Sequence, residues 1–397
     1  MTLKHTIAGL AKTYRNEFIS IRNYLHANPE LSYKEFETCA FVATHLEKLG
    51  ISFSPMGGTG LLGIIKGNNP NSRVIALRAD MDALPIEEAN DVPYKSTKPG
   101  IMHACGHDAH TSVLLGAAKI LNETKANWSG TVKLLFQPGE ERNPGGATYM
   151  IRDGALENPI PEGIVALHVH PSLAVGKLSF RKGTVMASAD EIYITLKGKG
   201  GHAAAPQLTT DIILVASHLV VSLQQIISRN NNPLNPTVLS ITSFQGGYTT
   251  NVIPSEVKLM GTLRCLNEEW RAKAHKLIEQ HVHHIAAGMG AKVELHIDKG
   301  YPTVLNHPEL TGKAWQLAEE YMGSENVEET EMRMGAEDFG YYAQQIPGCF
   351  YRLGVMNEAK GITSGVHTPT FNIDEDAIEI GMGSMAWLGA NLSFTGD

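Results

Sequence analysis

The stretch RVIALRADMD occupies residues 73–82 and joins a run of apolar, partly β-branched residues to two aspartates. Residues 73–77 predict a short strand that is buried on both faces, as in a parallel sheet. Similar runs follow at 131–136 and 163–167, and helical spacing of apolar residues predicts helices at 8–27, 35–49 and 111–121. Strands that alternate with helices predict an α/β fold with a mostly parallel central sheet.

Polar side chains follow each of the three predicted strands. They form three pairs, which are Asp80 and Asp82, Glu140 and Glu141, and His168 and His170. Ligands of open α/β sheets bind outside the carboxyl ends of the strands, so the three pairs are expected to share one crevice. For a single pair a solvated turn would be the simpler interpretation, but three pairs at equivalent strand ends favour a common site.

The loop MHACGHDAH at 102–110 holds one thiol, three imidazoles and one carboxylate. Thiolate and neutral imidazole are ligands of zinc and its first-row neighbours, and Cys105 and His107 would place two of them on one tight turn. Taken alone, the loop is equally well interpreted as a solvated histidine-rich segment. The neighbouring His103, His110 and His170 are expected to support ligands or to face solvent.

A hydrolytic metal site needs ligands for one or two cations, an open position for water and a base for the water proton. The candidate ligands are Cys105, His107, Glu141, His168 and His367. Adjacent side chains at a strand end point in different directions, so Glu140 can face the metal-activated water as general base while Glu141 binds metal. Asp82 or Asp80 would orient an imidazole ligand, and spacing does not separate the two.

The pattern changes from about residue 184. Its order of strand, helix, two strands, helix and strand is typical of a small ferredoxin-like α+β domain, with elements at 191–196, 209–229, 237–244, 256–264, 268–288 and 292–297. The α/β pattern then resumes and carries the turn of His367. We therefore expect a domain at 184–303 inserted into a metal-binding catalytic domain formed by 1–183 and 304–397.

Composition limits the class of function. The chain has 397 residues, a formal net charge of −8 and four scattered cysteines. The negative charge disfavours nucleic acid and anionic lipid, and no segment is expected to reach the about 20 apolar residues of a membrane span. The amino-terminal segment lacks the apolar core of a secretory signal, and the cysteines do not suggest a disulfide framework. A cytoplasmic protein that binds neither nucleic acid nor membrane is expected.

Eight motifs resemble the M20 metallopeptidase family, specifically its amidohydrolase branch. They are LRADMDALPI at 77–86, MHACGHD at 102–108, QPGEE at 137–141, LHVHP at 167–171, GHAAAP at 201–206, NVIP at 251–254, GAEDF at 335–339 and HTP at 367–369. The motifs occur in order over essentially the whole chain, which makes the resemblance far more specific than any single motif.

The resemblance implies hydrolysis of the amide bond of N-acyl amino acids, for example acetyl, benzoyl or auxin conjugates. It implies one or two divalent ions (Zn, Mn, Ni or Co) on the five candidate ligands, with Glu140 as catalytic acid/base and Asp82 as the supporting aspartate. In the smaller domain it implies that His202 stabilises the oxyanion and that Asn251 and Arg264 bind a substrate carboxylate. That domain would be a lid that also mediates dimerisation, giving a homodimer or a dimer of dimers.

Other interpretations remain open from the sequence. The broader peptidases carry a His-x-Asp pair and a bridging aspartate, where this chain has Asp80-x-Asp82 and the Cys105/His107 loop, so the identity and number of the metal ions are not determined. A dipeptidase of the same clan is the nearest alternative. A metal-independent hydrolase with Cys105 as nucleophile and His107 as base is a second one. A binding protein without catalysis is a third, and the intact Glu140 argues against it.

Overall fold

The structure is a computed structural model that describes residues 2–394, and its chain forms two compact units. Unit 2 consists of Thr184–Val304 and Met332–Glu337. Unit 1 contains the described residues before Thr184, the segment Leu305–Glu331 and the described residues from Asp338 onward. Each unit has a hydrophobic core of its own.

Helices and strands are numbered in chain order over the described residues. The helices are α1 Leu3–Ala27, α2 Phe36–Lys48, α3 His107–Glu123, α4 Gly146–Arg152, α5 Ile212–Gln225, α6 Glu268–Gly288, α7 Pro308–Met322, α8 Phe339–Ala343 and α9 Asp376–Asn391. The strands are β1 Ser52–Met56, β2 Gly60–Lys66, β3 Val74–Asp80, β4 Thr131–Gln137, β5 Gly163–Ala174, β6 Leu178–Phe180, β7 Gly183–Met186, β8 Asp190–Lys197, β9 Gly201–His202, β10 Thr237–Gln245, β11 Val252–Ile253, β12 Glu256–Cys265, β13 Lys292–Lys299, β14 Val304–Asn306, β15 Val327–Glu329 and β16 Gly348–Met356.

The central sheet of unit 1 has eight strands in the order β1-β2-β4-β3-β5-β16-β6-β15. The strands at its centre, β4, β3, β5 and β16, run parallel to one another. The β1 and β2 strands extend the sheet in antiparallel fashion beyond β4. The predicted α/β fold with a large, mostly parallel sheet is confirmed. Its antiparallel edge was not predicted, because Pro55 in β1 and the glycines before β2 are turn signals rather than strand signals.

Every residue of β3 and β4 is buried, as their apolar runs predict. The helices α1, α3 and α9 pack against one another and contribute to the same core. Helix α3 begins at His107, four residues before the predicted start, because Gly106 adopts a φ of 89° at the cap. A side chain at position 106 would meet Val169 Cγ2 at 2.5 Å, so only glycine permits this turn. A candidate metal ligand therefore lies in the first turn of a buried helix.

The polar pairs lie as predicted for two of the three strands. Asp80 is the last residue of β3, and Glu140 follows the end of β4 at Gln137. The prediction was wrong for β5, which continues to Ala174, so that His168 lies inside the strand rather than after it. The strand continues because β16 pairs with it in parallel up to Ala174, beyond the point where the apolar run ends.

Unit 2 contains a four-stranded antiparallel sheet in the order β10-β12-β8-β13, whose elements follow the chain order β8-α5-β10-β12-α6-β13. Burial alternates along β8, where Ile192, Ile194 and Leu196 are buried. These side chains share a core with residues of α5 and α6. One face of the sheet is thereby covered by the two helices.

One helix of unit 2 differs from expectation. Helix α5 and the π-helical turn that continues it, together Ile212–Asn230, are long and apolar enough to cross a membrane by length and composition. The sequence was expected to contain no such segment. The core helix of a globular unit also passes this test, and Val215, Leu219 and Leu223 are buried in the core of unit 2.

A buried ion pair connects the sheet of unit 2 to α6. The carboxylate of Asp190 accepts hydrogen bonds from Arg271 Nη2 at 2.6 Å, from Arg271 Nε at 2.9 Å and from His275 Nε2 at 2.7 Å. Burial opposes ionisation, but the bonds from His275 and Arg271 outweigh it and hold the pKa of Asp190 below its usual value. The carboxylate is therefore ionised in the folded chain.

Replacing Asp190 with asparagine is expected to destabilise unit 2 by about 3–5 kcal/mol, because the buried Arg271 loses its closest carboxylate and keeps only the partly exposed Glu268. Since the folded-state pKa of Asp190 is lowered, its stabilisation is present above about pH 4 and is lost as the pH falls through the folded value. Thermal unfolding at neutral and acid pH measures both effects. Glu268→Gln is the control, because the Glu268 side chain is 38% exposed and contacts Arg271 only at Nη1, which does not bind Asp190. Wild-type stability of the Asp190→Asn variant at neutral pH would contradict the assignment.

Candidate metal centre

The five candidate ligands of unit 1 converge on one cluster. They come from the turn before α3, the first residue of α3, the loop after β4, strand β5 and the loop before α9, as Cys105, His107, Glu141, His168 and His367 respectively. The ligand atoms of Cys105, His107 and His168 lie within 4.8 Å of one another, and so do those of Cys105, Glu141 and His367. Cys105 belongs to both groups, with its Sγ 3.5 Å from His168 Nε2 and 3.3 Å from His367 Nε2.

Two of the candidate-ligand histidines are oriented through Nδ1. His107 Nδ1 lies 3.1 Å from Asp82 Oδ1, and His168 Nδ1 lies 2.8 Å from the carbonyl oxygen of Val169. In the neutral rings that a metal would require, both contacts favour a proton on Nδ1 and leave Nε2 free to bind the metal. Between the two aspartates that the sequence did not separate, Asp82 is the one that contacts Nδ1 of a ligand ring.

Asp80 takes a different position. Its carboxylate binds Arg78 Nη1 at 2.5 Å and His110 Nδ1 at 2.6 Å. His110 Nε2 accepts the amide proton of Val169 at 2.9 Å, so both ring nitrogens of His110 are already paired. His110 is buried and therefore supports Asp80 rather than facing solvent. His103 is buried too, and burial lowers the pKa of its imidazole to about 4.

The loop after β4 carries Glu140 and Glu141, and Asp82 fixes its backbone. Asp82 Oδ1 accepts the amide proton of Glu140 at 3.1 Å, and Asp82 Oδ2 accepts that of Glu141 at 2.9 Å. The carboxylate of Glu140 also lies within 4.8 Å of the ligand atoms of His107 and Glu141. One aspartate thus contacts the ring of a candidate ligand and the backbone of both glutamates.

A second buried network contacts residues on both sides of this loop, and it was missed from the sequence. Asp338 accepts hydrogen bonds from Arg78 Nη2 at 2.8 Å, from Gln137 Nε2 at 2.7 Å and from the amide of Ala147 at 3.0 Å. Arg78, Gln137 and Asp338 all lie in motifs identified from the sequence, but nothing in their spacing links them. The available signal was the polarity of Arg78 and Gln137 within otherwise apolar strands, because buried charges require partners.

His367 reaches the cluster from a strained turn. Its φ is 61°, which is uncommon for a residue other than glycine, and its amide donates to the carbonyl oxygen of Ala104 at 2.7 Å. The side chain is 52% exposed, with Nε2 at 3.3 Å from Glu141 Oε1. The most accessible of the candidate ligands is therefore tied through its backbone to the Cys105 loop.

The charges of the cluster fit a cation. Burial and the carboxylates Glu141, Glu140 and Asp80 raise the pKa of Cys105 well above its usual value. Burial opposes protonation of His107, but Asp80, Asp82 and Glu141 raise the pKa of its imidazole to about 10. His107 Nε2 and Glu141 Oε1 are buried and form no well-directed hydrogen bond within the described residues, although His367 Nε2 lies 3.3 Å from Glu141 Oε1. A divalent cation would satisfy both atoms and neutralise the excess negative charge, so the residues present fit a metal centre.

The three other predicted site residues lie in unit 2. His202 is exposed on β9, which pairs with β11. Asn251 directly precedes β11, and its carbonyl oxygen accepts a hydrogen bond from the amide of Ala203 at 3.0 Å. Arg264 lies on β12 and is half-buried, and burial lowers the pKa of its guanidinium. The structure brings His202 and Asn251 together, and the functional roles of all three residues remain predictions.

Asp82→Asn is expected to weaken metal binding by about 10- to 100-fold, because the amide removes the negative charge that orients His107 and holds two backbone amides. Metal affinity measured by competition with a chromophoric chelator tests this. Asp153→Asn is the matched control, since that carboxylate contacts Arg152 and the amide of Gly57 and none of the ligands. Unchanged affinity in Asp82→Asn would show that the contact to His107 does not support metal binding.

Comparison with known proteins assigns the chain to a family. Residues 76–388 match the peptidase family M20/M25/M40. The chain is 41% identical over 377 residues to the IAA-amino acid hydrolase ILR1-like 4 of Arabidopsis thaliana, covering 92% of this chain and 84% of that protein. It is 40% identical over 367 residues to the N-acetyl-L-cysteine deacetylase of Bacillus subtilis (strain 168), covering 92% of this chain and 86% of that protein.

A solved structure is similar over nearly the full length. The Bacillus subtilis YXEP protein, described as a dinuclear metal-binding peptidase of the M20 family, superposes with a TM-score of 0.83 at 34% identity. The similarity covers 96% of this chain and 98% of that one. Sequence and fold therefore point to the same group of enzymes.

Proposed function

The chain belongs to the peptidase family M20/M25/M40 and is a metal-dependent amide hydrolase, and we propose that its substrates are N-acyl amino acids. The observation that carries the proposal is the position of Glu140, whose carboxylate lies within 4.8 Å of ligand atoms of His107 and Glu141. A buried carboxylate beside a metal centre is suited to act as general base. The names of two relatives, an IAA-amino acid hydrolase and an N-acetyl-L-cysteine deacetylase, support acyl amino acids as the substrate class.

Two groups of ligands support two divalent cations in the proposed enzyme. Cys105, His107 and His168 would hold one, and Cys105, Glu141 and His367 the other, with Cys105 common to both. Zn, Mn, Ni and Co all suit this mixture of thiolate, imidazole and carboxylate. The dinuclear description of the YXEP protein supports the same number.

The chain's own groups divide the work of hydrolysis. A bound divalent cation supplies Lewis acidity, which lowers the pKa of a water and polarises the amide carbonyl. Glu140 accepts the proton of the attacking water and delivers it to the departing amine. In the proposal, His202 donates to the oxyanion, a contribution of about 3–4 kcal/mol to the transition state. Asn251 and Arg264 bind the carboxylate of the amino acid.

Unit 2 is proposed to be a ferredoxin-like lid that also mediates a homodimer or a dimer of dimers. Strand β10 is an edge of its sheet, and Val238 and Phe244 on it are exposed. Leu214 and Val221 on α5 are exposed as well. Edge strands with exposed apolar side chains favour pairing with another chain. Analytical ultracentrifugation tests the oligomeric state, and a monomer at all concentrations would contradict this part of the proposal.

The substrate class is tested with a panel of acetyl, benzoyl and indoleacetyl amino acids, with dipeptides as the competing class. Release of the free amino acid is measured, together with the metal content of the same sample. Faster hydrolysis of acyl amino acids than of dipeptides is the expected result, and preference for dipeptides would favour the dipeptidase alternative.

The free cysteines of the described chain suit a reducing compartment, and we propose a cytoplasmic enzyme.

A further inference from the structure

The turn between α1 and α2 contacts the loop that carries the two glutamates. We call residues 28–35 the α1–α2 turn and residues 138–145, which follow β4, the base loop. Glu35 lies in the α1–α2 turn and is fully buried. Its Oε1 accepts hydrogen bonds from the amides of Gly139 at 2.8 Å and of Tyr33 at 2.9 Å, and its Oε2 accepts one from the Thr59 hydroxyl at 2.6 Å.

Two carboxylates hold three consecutive amides of the base loop. Glu35 accepts from Gly139, and Asp82 accepts from Glu140 at 3.1 Å and from Glu141 at 2.9 Å. Ser32 of the α1–α2 turn donates to Asp82 Oδ2 at 2.6 Å, so the turn also holds the second carboxylate. The backbone before and after the Glu140 side chain is thereby fixed by three consecutive amides.

Tyr33 encloses the base loop from the other side. Its hydroxyl donates to the carbonyl oxygen of Arg142 at 2.6 Å and accepts from the amide of Gly145 at 3.1 Å. Its ring lies so close to Gly139 that a β-carbon there would overlap it. Gly139 has a φ of 60° and Tyr33 a φ of 65°, so both segments adopt uncommon backbone conformations where they meet.

We propose that Glu35 is a positioning residue, which acts through the Gly139 amide to hold Glu140 in its catalytic orientation. The hydrogen bonds that it accepts come from neutral donors, and no Lys or Arg of the described chain forms an ion pair with it. Glu35 therefore acts through the position of its acceptor oxygen atoms rather than through its charge. The proposal rests on the proposed function, in which Glu140 is the general base.

Three variants separate position from charge. Glu35→Gln keeps an acceptor oxygen at the same reach, and the Thr59 hydroxyl can accept from the new amide instead of donating. Glu35→Asp keeps the charge but draws the carboxylate back by one methylene, and Glu35→Ala removes the acceptor. With metal in excess, Glu35→Asp and Glu35→Ala are expected to lower kcat by about tenfold to a hundredfold at unchanged KM and metal content. Glu35→Gln is expected to retain most of the wild-type kcat.

Glu30→Gln is the control from the same turn. Glu30 accepts from the amide and hydroxyl of Thr38 at 2.8 Å and 2.9 Å, and so caps α2 without touching the base loop. This variant is expected to lower the melting temperature and to leave kcat unchanged. Circular dichroism identifies any variant that fails to fold. If Glu35→Ala does not fold, the comparison of Glu35→Gln with Glu35→Asp still separates position from charge.

The outcomes are distinct. Wild-type kcat in Glu35→Asp would overturn the proposal, because the position of the oxygen atoms would then not matter. A Glu35→Gln variant as impaired as Glu35→Asp would also overturn it, because an acceptor at the right position would then not suffice without the charge. A loss of metal content that parallels the loss of kcat would assign Glu35 to metal binding instead. If the wild type hydrolyses none of the acyl amino acids or dipeptides, the proposed function itself has failed. If only the Glu35 proposal fails, the wild type still hydrolyses its substrate.

Discussion

Glutamine at position 140 is expected to lower kcat by about 100- to 10,000-fold, while metal content and KM stay close to those of the wild type. The amide has the shape of the carboxylate but cannot accept the water proton. The backbone of residue 140 stays in place, because its amide is held by Asp82 at 3.1 Å and that of residue 141 at 2.9 Å. Steady-state kinetics with an acyl amino acid, on protein whose metal content has been measured, provides the test.

Glu141→Gln is the matched comparison for this prediction. The two glutamates are adjacent, but the Glu141 carboxylate lies within the group formed with Cys105 and His367. Its amide variant is expected to lose metal affinity first and activity in consequence, so that excess metal restores part of the activity. Excess metal restores nothing in Glu140→Gln. An active Glu140→Gln enzyme, or one that has lost its metal, would refute the assigned role.

The strands were predictable because their signals are local. The apolar run at 131–136 lies within β4, and residues 74–77 of the other run lie within β3. Both strands are buried completely, and burial of a short apolar segment on both faces has few other solutions. The candidate ligands were recognisable for a similar reason, since thiol and imidazole groups concentrated at predicted strand ends and on one loop are rare.

The supporting contacts could not be predicted from one sequence. Glu35 is separated from Gly139 by about a hundred residues, and in the sequence it is one more acidic residue before a helix, where capping is the simpler interpretation. Asp338 likewise has the appearance of a helix cap, yet it binds Arg78 and Gln137. The length of β5 depended on its pairing with β16, which no local pattern contains. In each case the role depends on a neighbour that only the tertiary fold supplies.

Removal of the divalent cations with a chelator is expected to abolish hydrolysis, and their return is expected to restore it. The competing mechanism uses Cys105 as nucleophile with His107 as base, and the charges around both residues argue against it. Burial and the carboxylates Glu141, Glu140 and Asp80 raise the pKa of the Cys105 thiol, so without a cation it stays protonated at neutral pH. Burial opposes protonation of His107, but Asp80, Asp82 and Glu141 raise the pKa of its imidazole to about 10, so the ring is protonated at neutral pH and cannot act as the base.

A spectroscopic measurement tests the role of Cys105 independently of activity. Cobalt bound in place of the native metal is expected to show a thiolate-to-metal charge-transfer absorption, because cation binding deprotonates a coordinating thiol outright. Cys105→Ser should lose this absorption while retaining the weaker visible bands of cobalt held by the other ligands. If instead chelators leave activity unchanged, Cys105→Ser is inactive and Glu140→Gln is active, the nucleophile mechanism is correct. The pKa of the Cys105 thiol makes the first result the expected one, because the thiol becomes a thiolate only where a cation offsets the three surrounding carboxylates.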